Sequence, residues 1–148
     1  MSRLQSSPLP TGLNVLVVDD VASTRSLMNW ILRQLRCAII EEAHTGEDAI
    51  AAFDVLKPDV CFLDIDMPGM DGLEVLRRLQ STYPDAFIVI ASGCSSVSNV
   101  QTALQSGASG FVVKPFSVSK VADILRKYTE RRGSPRSPFG AVGESSAS

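Results

Sequence analysis

The 148-residue chain balances 14 Lys and Arg against 16 Asp and Glu, a formal net charge of -2, with 45% hydrophobic and 20% charged residues. That is the composition of one globular domain with enough chain to bury a core, and the near-neutral charge argues against a dedicated nucleic-acid or membrane-surface protein. Three cysteines at 37, 61 and 94, odd in number and free of CxxC spacing, suggest neither a disulfide framework nor a zinc site.

In chain order, residues 1–12 (MSRLQSSPLPTG) are polar and Pro-rich, and are expected to form a flexible tail. They lack the hydrophobic stretch of a signal peptide, and no later run approaches the ~18 apolar residues of a membrane span, so a cytoplasmic protein is expected. Short apolar runs then alternate with helix-period segments. The runs are VLVV (15–18), AII (38–40), VCFL (60–63), FIVIA (87–91) and FVV (111–113). Each is apolar at successive positions, which suits strands buried on both faces of a parallel sheet.

Between them, helical stripes fall at Leu27, Met28, Ile31, Leu32 and Leu35, at Ile50 and Phe53, and at Val75, Leu76 and Leu79. Two more follow at Val97, Val100 and Leu104, and at Val118, Val121, Leu125 and Tyr128. Trp30 is expected to pack beside the first stripe. The pattern is (βα)5, a doubly wound parallel sheet with right-handed crossovers, spanning residues 13–132. Residues 133–148 read as a second flexible tail, in which Ser134 and Ser137 precede prolines.

The polar residues that follow the runs are Asp19 and Asp20, Asp64, Ser92 and Lys114. All fall at carboxyl ends of strands, the edge at which open α/β sheets bind ligands. Carboxylates, a hydroxyl and an ammonium belong together if the ligand is a hard divalent cation plus a phosphoryl group. Magnesium takes oxygen ligands, Lys114 and Ser92 can address phosphoryl oxygens, and Asp64 is a carboxylate able to form an aspartyl phosphate. The plainer alternative makes individual acids helix caps: Asp20 precedes a helix, and Asp71 with Glu74 resembles a capping box. His44, in a turn, reads as a solvated residue, and the basic residues of the last helix suit its C-terminal dipole better than a polyanion site.

VLVVDD, LDIDMPGMDG, VIASG and GFVVKPF together resemble the receiver domain of two-component response regulators, over roughly residues 13–130. The resemblance implies a flavodoxin-like sheet of order 2-1-3-4-5, with Asp64 as phosphoacceptor. It implies Asp19, Asp20 and Asp64 as magnesium ligands with the backbone carbonyl of Asp66, Ser92 and Phe111 as switch residues, Lys114 as the phosphate-contacting lysine, and a cis Lys114–Pro115 bond. The partners implied are a sensor histidine kinase or phosphotransfer protein and a downstream protein target reached through the last two helices and the strand between them. Such a chain is a stand-alone, chemotaxis-type signalling domain, and not an enzyme beyond its own phosphotransfer and dephosphorylation.

Two rivals remain at this point. FLDIDMPG also matches the hydrophobic-Asp-x-Asp start of haloacid-dehalogenase-type phosphatases, but there the additional acidic pair comes late, whereas Asp19 and Asp20 come early. A receiver-like module that only binds partners would be favoured by loss of an acid or the lysine, and none is lost.

Overall fold

The computed structural model describes residues 8–67, 72–93 and 97–136. Five strands, β1 (Asn14–Val18), β2 (Ile39–Ala43), β3 (Val60–Asp64), β4 (Phe87–Ser92) and β5 (Gly110–Val113), form one sheet in the order β2-β1-β3-β4-β5. Every pairing is parallel. The helices are α1 (Ala22–Gln34), α2 (Gly46–Leu56), α3 (Gly72–Thr82), α4 (Val97–Gln105) and α5 (Val118–Arg136). The expected (βα)5 architecture is therefore present.

Strand periodicity sorts the apolar runs into two cores. Val15, Val17, Val60, Phe62, Phe87, Val89 and Ala91 pack with residues of α1 and α5. Their alternate neighbours Leu16, Val18, Cys61, Leu63, Ile88 and Ile90 pack with residues of α2, α3 and α4. Both faces of these three strands are thus covered, which is why they carry no polar alternation. Burial pushes the Cys61 thiol up to about 12, and burial followed by the charge of Asp59 pushes Cys37 up to about 11, so both behave as small apolar fillers.

At the edges the same reasoning gives different outcomes. β2 runs Ile39–Ala43 rather than 38–40, because an edge strand exposed on one side accommodates Glu41 and Glu42 while only Ala43 is fully buried. Trp30, expected beside the first stripe, is 55% exposed, and Leu27, Leu104 and Val118 also face solvent. In α1 the buried arc is the narrower set Met28, Ile31 and Leu32. In α4 the small Ala103 is the residue that reaches the core.

The amino-terminal edge is fastened by Asp59, which accepts hydrogen bonds from the Asn14 amide (2.8 Å) and the Tyr128 hydroxyl (3.3 Å). Tyr128 in turn meets Phe87 edge-on at 5.4 Å. Most of the basic residues of α5 are engaged within the fold: Lys120 donates to the carbonyls of Val113 and Pro115, Arg126 pairs with Asp123, and Arg131 and Arg132 lie over Phe87 and Tyr128. The helix continues to Arg136, past the expected boundary at 132. Asp71, read as a cap, lies outside the described residues, as do most of both expected tails. No helix among the described residues is long and apolar enough to cross a membrane.

Met28 and Trp30 separate core from surface on a single helix. Met28→Ala is expected to cost about 2–5 kcal/mol, whereas Trp30→Ala should change stability by no more than about 0.5 kcal/mol. Urea unfolding followed by circular dichroism measures both, and equal losses would contradict the helix orientation.

Candidate functional site

The carboxyl ends of β1, β3, β4 and β5 carry the polar residues singled out in the sequence. Because all strands are parallel, their ends share one edge. Asp19 follows β1 directly and continues its ladder, its amide donating to the Ala43 carbonyl at 3.1 Å. Its Oδ1 accepts the Val21 amide at 2.8 Å, which turns the chain into α1. Val21 holds the N-cap position of that helix with no side-chain cap, so the exposed Asp20 is not a capping residue. Asp64 ends β3, and Asp19 and Asp64 are each only 2% exposed.

Asp19, Asp20 and Asp64 each offer a carboxylate oxygen, and these oxygens all lie within 4.8 Å of one another. At a separation of at most 4.8 Å and an effective dielectric of ~20, the Asp19–Asp64 pair repels by about 3.5 kcal/mol or more before screening. Lys114, one residue past β5, answers part of this. Its Nζ lies 3.0 Å from Asp19 Oδ2 and 3.1 Å from Asp64 Oδ2. Its amide donates to the Ser92 carbonyl at 2.8 Å, which carries the β4–β5 ladder up to the site. The Lys114–Pro115 bond is cis, as the resemblance implies.

Burial is the largest influence on Asp64 and raises its carboxyl above the usual range. Hydrogen bonds from the Asp66 amide and Lys114 pull it back in part, and the Asp19 charge pushes it up again. For Lys114 burial acts first, favouring the neutral amine. The hydrogen bonds and charges of Asp19 and Asp64 outweigh it, and its pKa rises.

Ser92, the last residue of β4, is buried beside this group, since Asp64 pairs with Ala91 across the sheet. It is connected to the acids through Asp66. The Asp66 amide donates to Asp64 Oδ1 at 2.9 Å, while its own carboxylate accepts from the Gly93 amide at 2.9 Å and lies 3.2 Å from Ser92 Oγ. Phe111 stands apart: it is paired with Ile90 in the sheet and is 46% exposed. The loop after Asp64 is confined on its other side by Gly72, where an added Cβ would lie 2.7 Å from the Ile65 Cα.

Arg25 was not singled out in the sequence, yet it braces the site. Its Nη1 donates to the Asp19 carbonyl at 2.7 Å, and its Nε pairs with Glu42 of β2 at 3.1 Å. Asn29 donates to the other oxygen of Glu42 at 3.0 Å. Nothing in the spacing of Arg25 marks it, because its acceptor is a backbone carbonyl brought within reach by the β1–α1 turn.

The donor set fits a hard divalent cation: three convergent carboxylates, and oxygen ligands alone. A family model described as the response regulator receiver domain matches residues 15–126. The chemotaxis protein CheY of Listeria monocytogenes is 36% identical over 115 residues, which span 78% of this chain and 97% of that protein. Transcriptional regulatory protein TrcR of Mycobacterium tuberculosis is 36% identical over 87% of this chain and 48% of its own length. The crystal structure of the receiver domain of NtrX from Brucella abortus matches with a TM-score of 0.75 at 29% identity, covering 79% of this chain and 98% of that one.

The raised Asp64 pKa makes a prediction with a definite sign. A carboxyl whose folded pKa exceeds its unfolded value contributes stability that is full below the unfolded value and is lost as pH rises through the folded one. Asp64→Asn has no charge to bury, so in metal-free buffer it should melt at a higher temperature than wild type at neutral pH. The gap should narrow as pH falls through the raised folded value, below which the wild-type carboxyl is protonated as well. Thermal melts across this range test it, and a pH-independent gap would refute the electrostatic origin.

Proposed function

Because the chain belongs to the response regulator receiver domain family, in which phosphorylation on an aspartate is the general property, we propose that Asp64 is its phosphoacceptor and that the domain occupies residues 13–132, with the last turn of α5 running on to Arg136. The observation that carries this reading is the position of Asp64: a buried carboxylate at a strand end, held by Lys114 and grouped with Asp19 and Asp20. A haloacid-dehalogenase-type phosphatase is not favoured.

In the proposed reaction an Asp64 oxygen attacks the phosphorus of a phosphohistidine on a sensor kinase or phosphotransfer protein. An O–P bond forms, the N–P bond breaks, and the departing imidazole takes up a proton. The in-line attack needs Asp64 ionised and fixed. Lys114 and the Asp66 amide favour the ionised form and orient it, and Lys114 can then address a phosphoryl oxygen. Magnesium, held by Asp19, Asp20 and Asp64 with the Asp66 carbonyl, would supply positive charge against which carboxylates and phosphoryl oxygens can approach. Ser92 would then hydrogen-bond the new phosphoryl group and Phe111 would respond to that movement, with β5 linking the two.

The partner surface is proposed as α4, β5 and α5, where Leu104, Phe111 and Val118 expose apolar side chains. The output is therefore a protein contact, and the domain acts as a signal carrier, with its own phosphotransfer and dephosphorylation as its only catalysis.

Acetyl phosphate with magnesium should add one phosphoryl group to wild type and none to Asp64→Asn, read by intact mass. Equal labelling of the two would remove Asp64 from its role. Magnesium binding only to the folded state should raise wild-type stability by about 2.7 kcal/mol at a hundredfold excess over its dissociation constant. Asp20→Asn should lose most of that gain, and a wild-type increment in the variant would show that Asp20 is not a ligand.

A further inference from the structure

Asp66 has a side chain that the proposed phosphotransfer does not use. Its carboxylate sits where an anion is well received: the Gly93 amide donates to Oδ2 at 2.9 Å, and the Ser92 hydroxyl lies 3.2 Å from the same atom. The hydroxyl has a second acceptor, the Gly93 carbonyl at 3.1 Å, so its single proton is shared, whereas the Gly93 amide is committed to Asp66. Ser92 is one residue beyond Ala91, the sheet partner of Asp64. Two donors at the end of β4 therefore face the neighbourhood of the proposed phosphoacceptor, and an internal carboxylate already fills them.

We propose that the Asp66 carboxylate competes with the phosphoryl group for the Ser92 hydroxyl and the Gly93 amide, so that phosphorylation has to displace it before β4 can respond. The inference rests on the reading of Asp64 as phosphoacceptor. Both ligands are anionic oxygen acceptors and require the same donors. They cannot share them, because a phosphoryl group brings a further charge of about -1.5 to -2 next to a carboxylate. Lys114 cannot welcome the displaced side chain, being already held between Asp19 and Asp64. Asp66 thus acts as a positioning residue, holding the β4 end in its unphosphorylated arrangement and setting how strongly a phosphoryl group must bind to change it.

The competition gives an effect opposite in sign to that of a structural brace. Beryllofluoride, a phosphoryl analogue, is titrated in the presence of magnesium into the full chain and into Asp66→Ala, with the Gly93 amide resonance followed by NMR. Competition predicts binding on the order of tenfold tighter in Asp66→Ala, the scale of one charge-assisted hydrogen bond no longer opposed. Asp66→Asn keeps the shape and an acceptor oxygen but not the charge, and should fall between the two; it also serves if the alanine variant folds poorly. Unchanged or weaker binding in folded variants overturns the competition. Acetyl phosphate labelling of wild type at Asp64 is run alongside. If wild type is labelled and the variants bind no tighter, only the competition fails. If wild type is not labelled, the phosphoacceptor reading fails and the competition with it.

Discussion

The ammonium of Lys114, placed between the buried carboxylates of Asp19 and Asp64 at 3.0 and 3.1 Å, is the contact on which the rest of the site depends. Two acids of this kind would not stay ionised side by side in the interior without a cation. One lysine compensates only part of the charge, since Asp20 adds a third carboxylate to the group. The pocket is therefore left with surplus negative charge and with oxygen donors that could hold a divalent ion. That residual imbalance would link stability to the proposed function: what strains the metal-free fold would also be what draws in the proposed metal and, through it, the phosphoryl group.

Parallel strands make the arrangement possible at low cost in chain. Each β-to-α turn delivers its first polar residue to one edge, so Asp19, Asp64, Ser92 and Lys114 meet although 95 positions separate the first from the last. Arg25 and Gly72 show the local adjustments this requires. One clamps the Asp19 carbonyl from the adjoining helix, and the other lets the start of α3 come against Ile65.

Much of this was legible from the residues. Runs without alternation identified β1, β3 and β4 because those strands are covered on both faces, and the acids announced themselves by falling where the runs stop. The edges were harder to read. In β2 a strand with one open side carries Glu41 and Glu42, so the apolar run is shorter than the strand. In α1 hydrophobicity alone could not distinguish Met28, in the core, from Leu27 and Trp30, in solvent. Within the site, the residue types were readable and their orientations were not. That Asp66 turns its carboxylate to Gly93, or that Arg25 grips a carbonyl, depends on backbone turns that no spacing rule encodes.

The position of β5 has a kinetic side. It is a four-residue strand, paired on one side only, and Lys114 hangs from its end. Partial openings of a native protein tend to begin at such margins and to involve contiguous segments, here β5 with α5. An excursion of that kind would withdraw the lysine while leaving all three carboxylates in place at the ends of the inner strands β1 and β3. For its duration the pocket would be a bare acidic cage, at its most electronegative and without its own counter-ion. In such an opening the margin of the sheet would gate the charge of the centre, and its lifetime would bound how long the pocket is without its lysine.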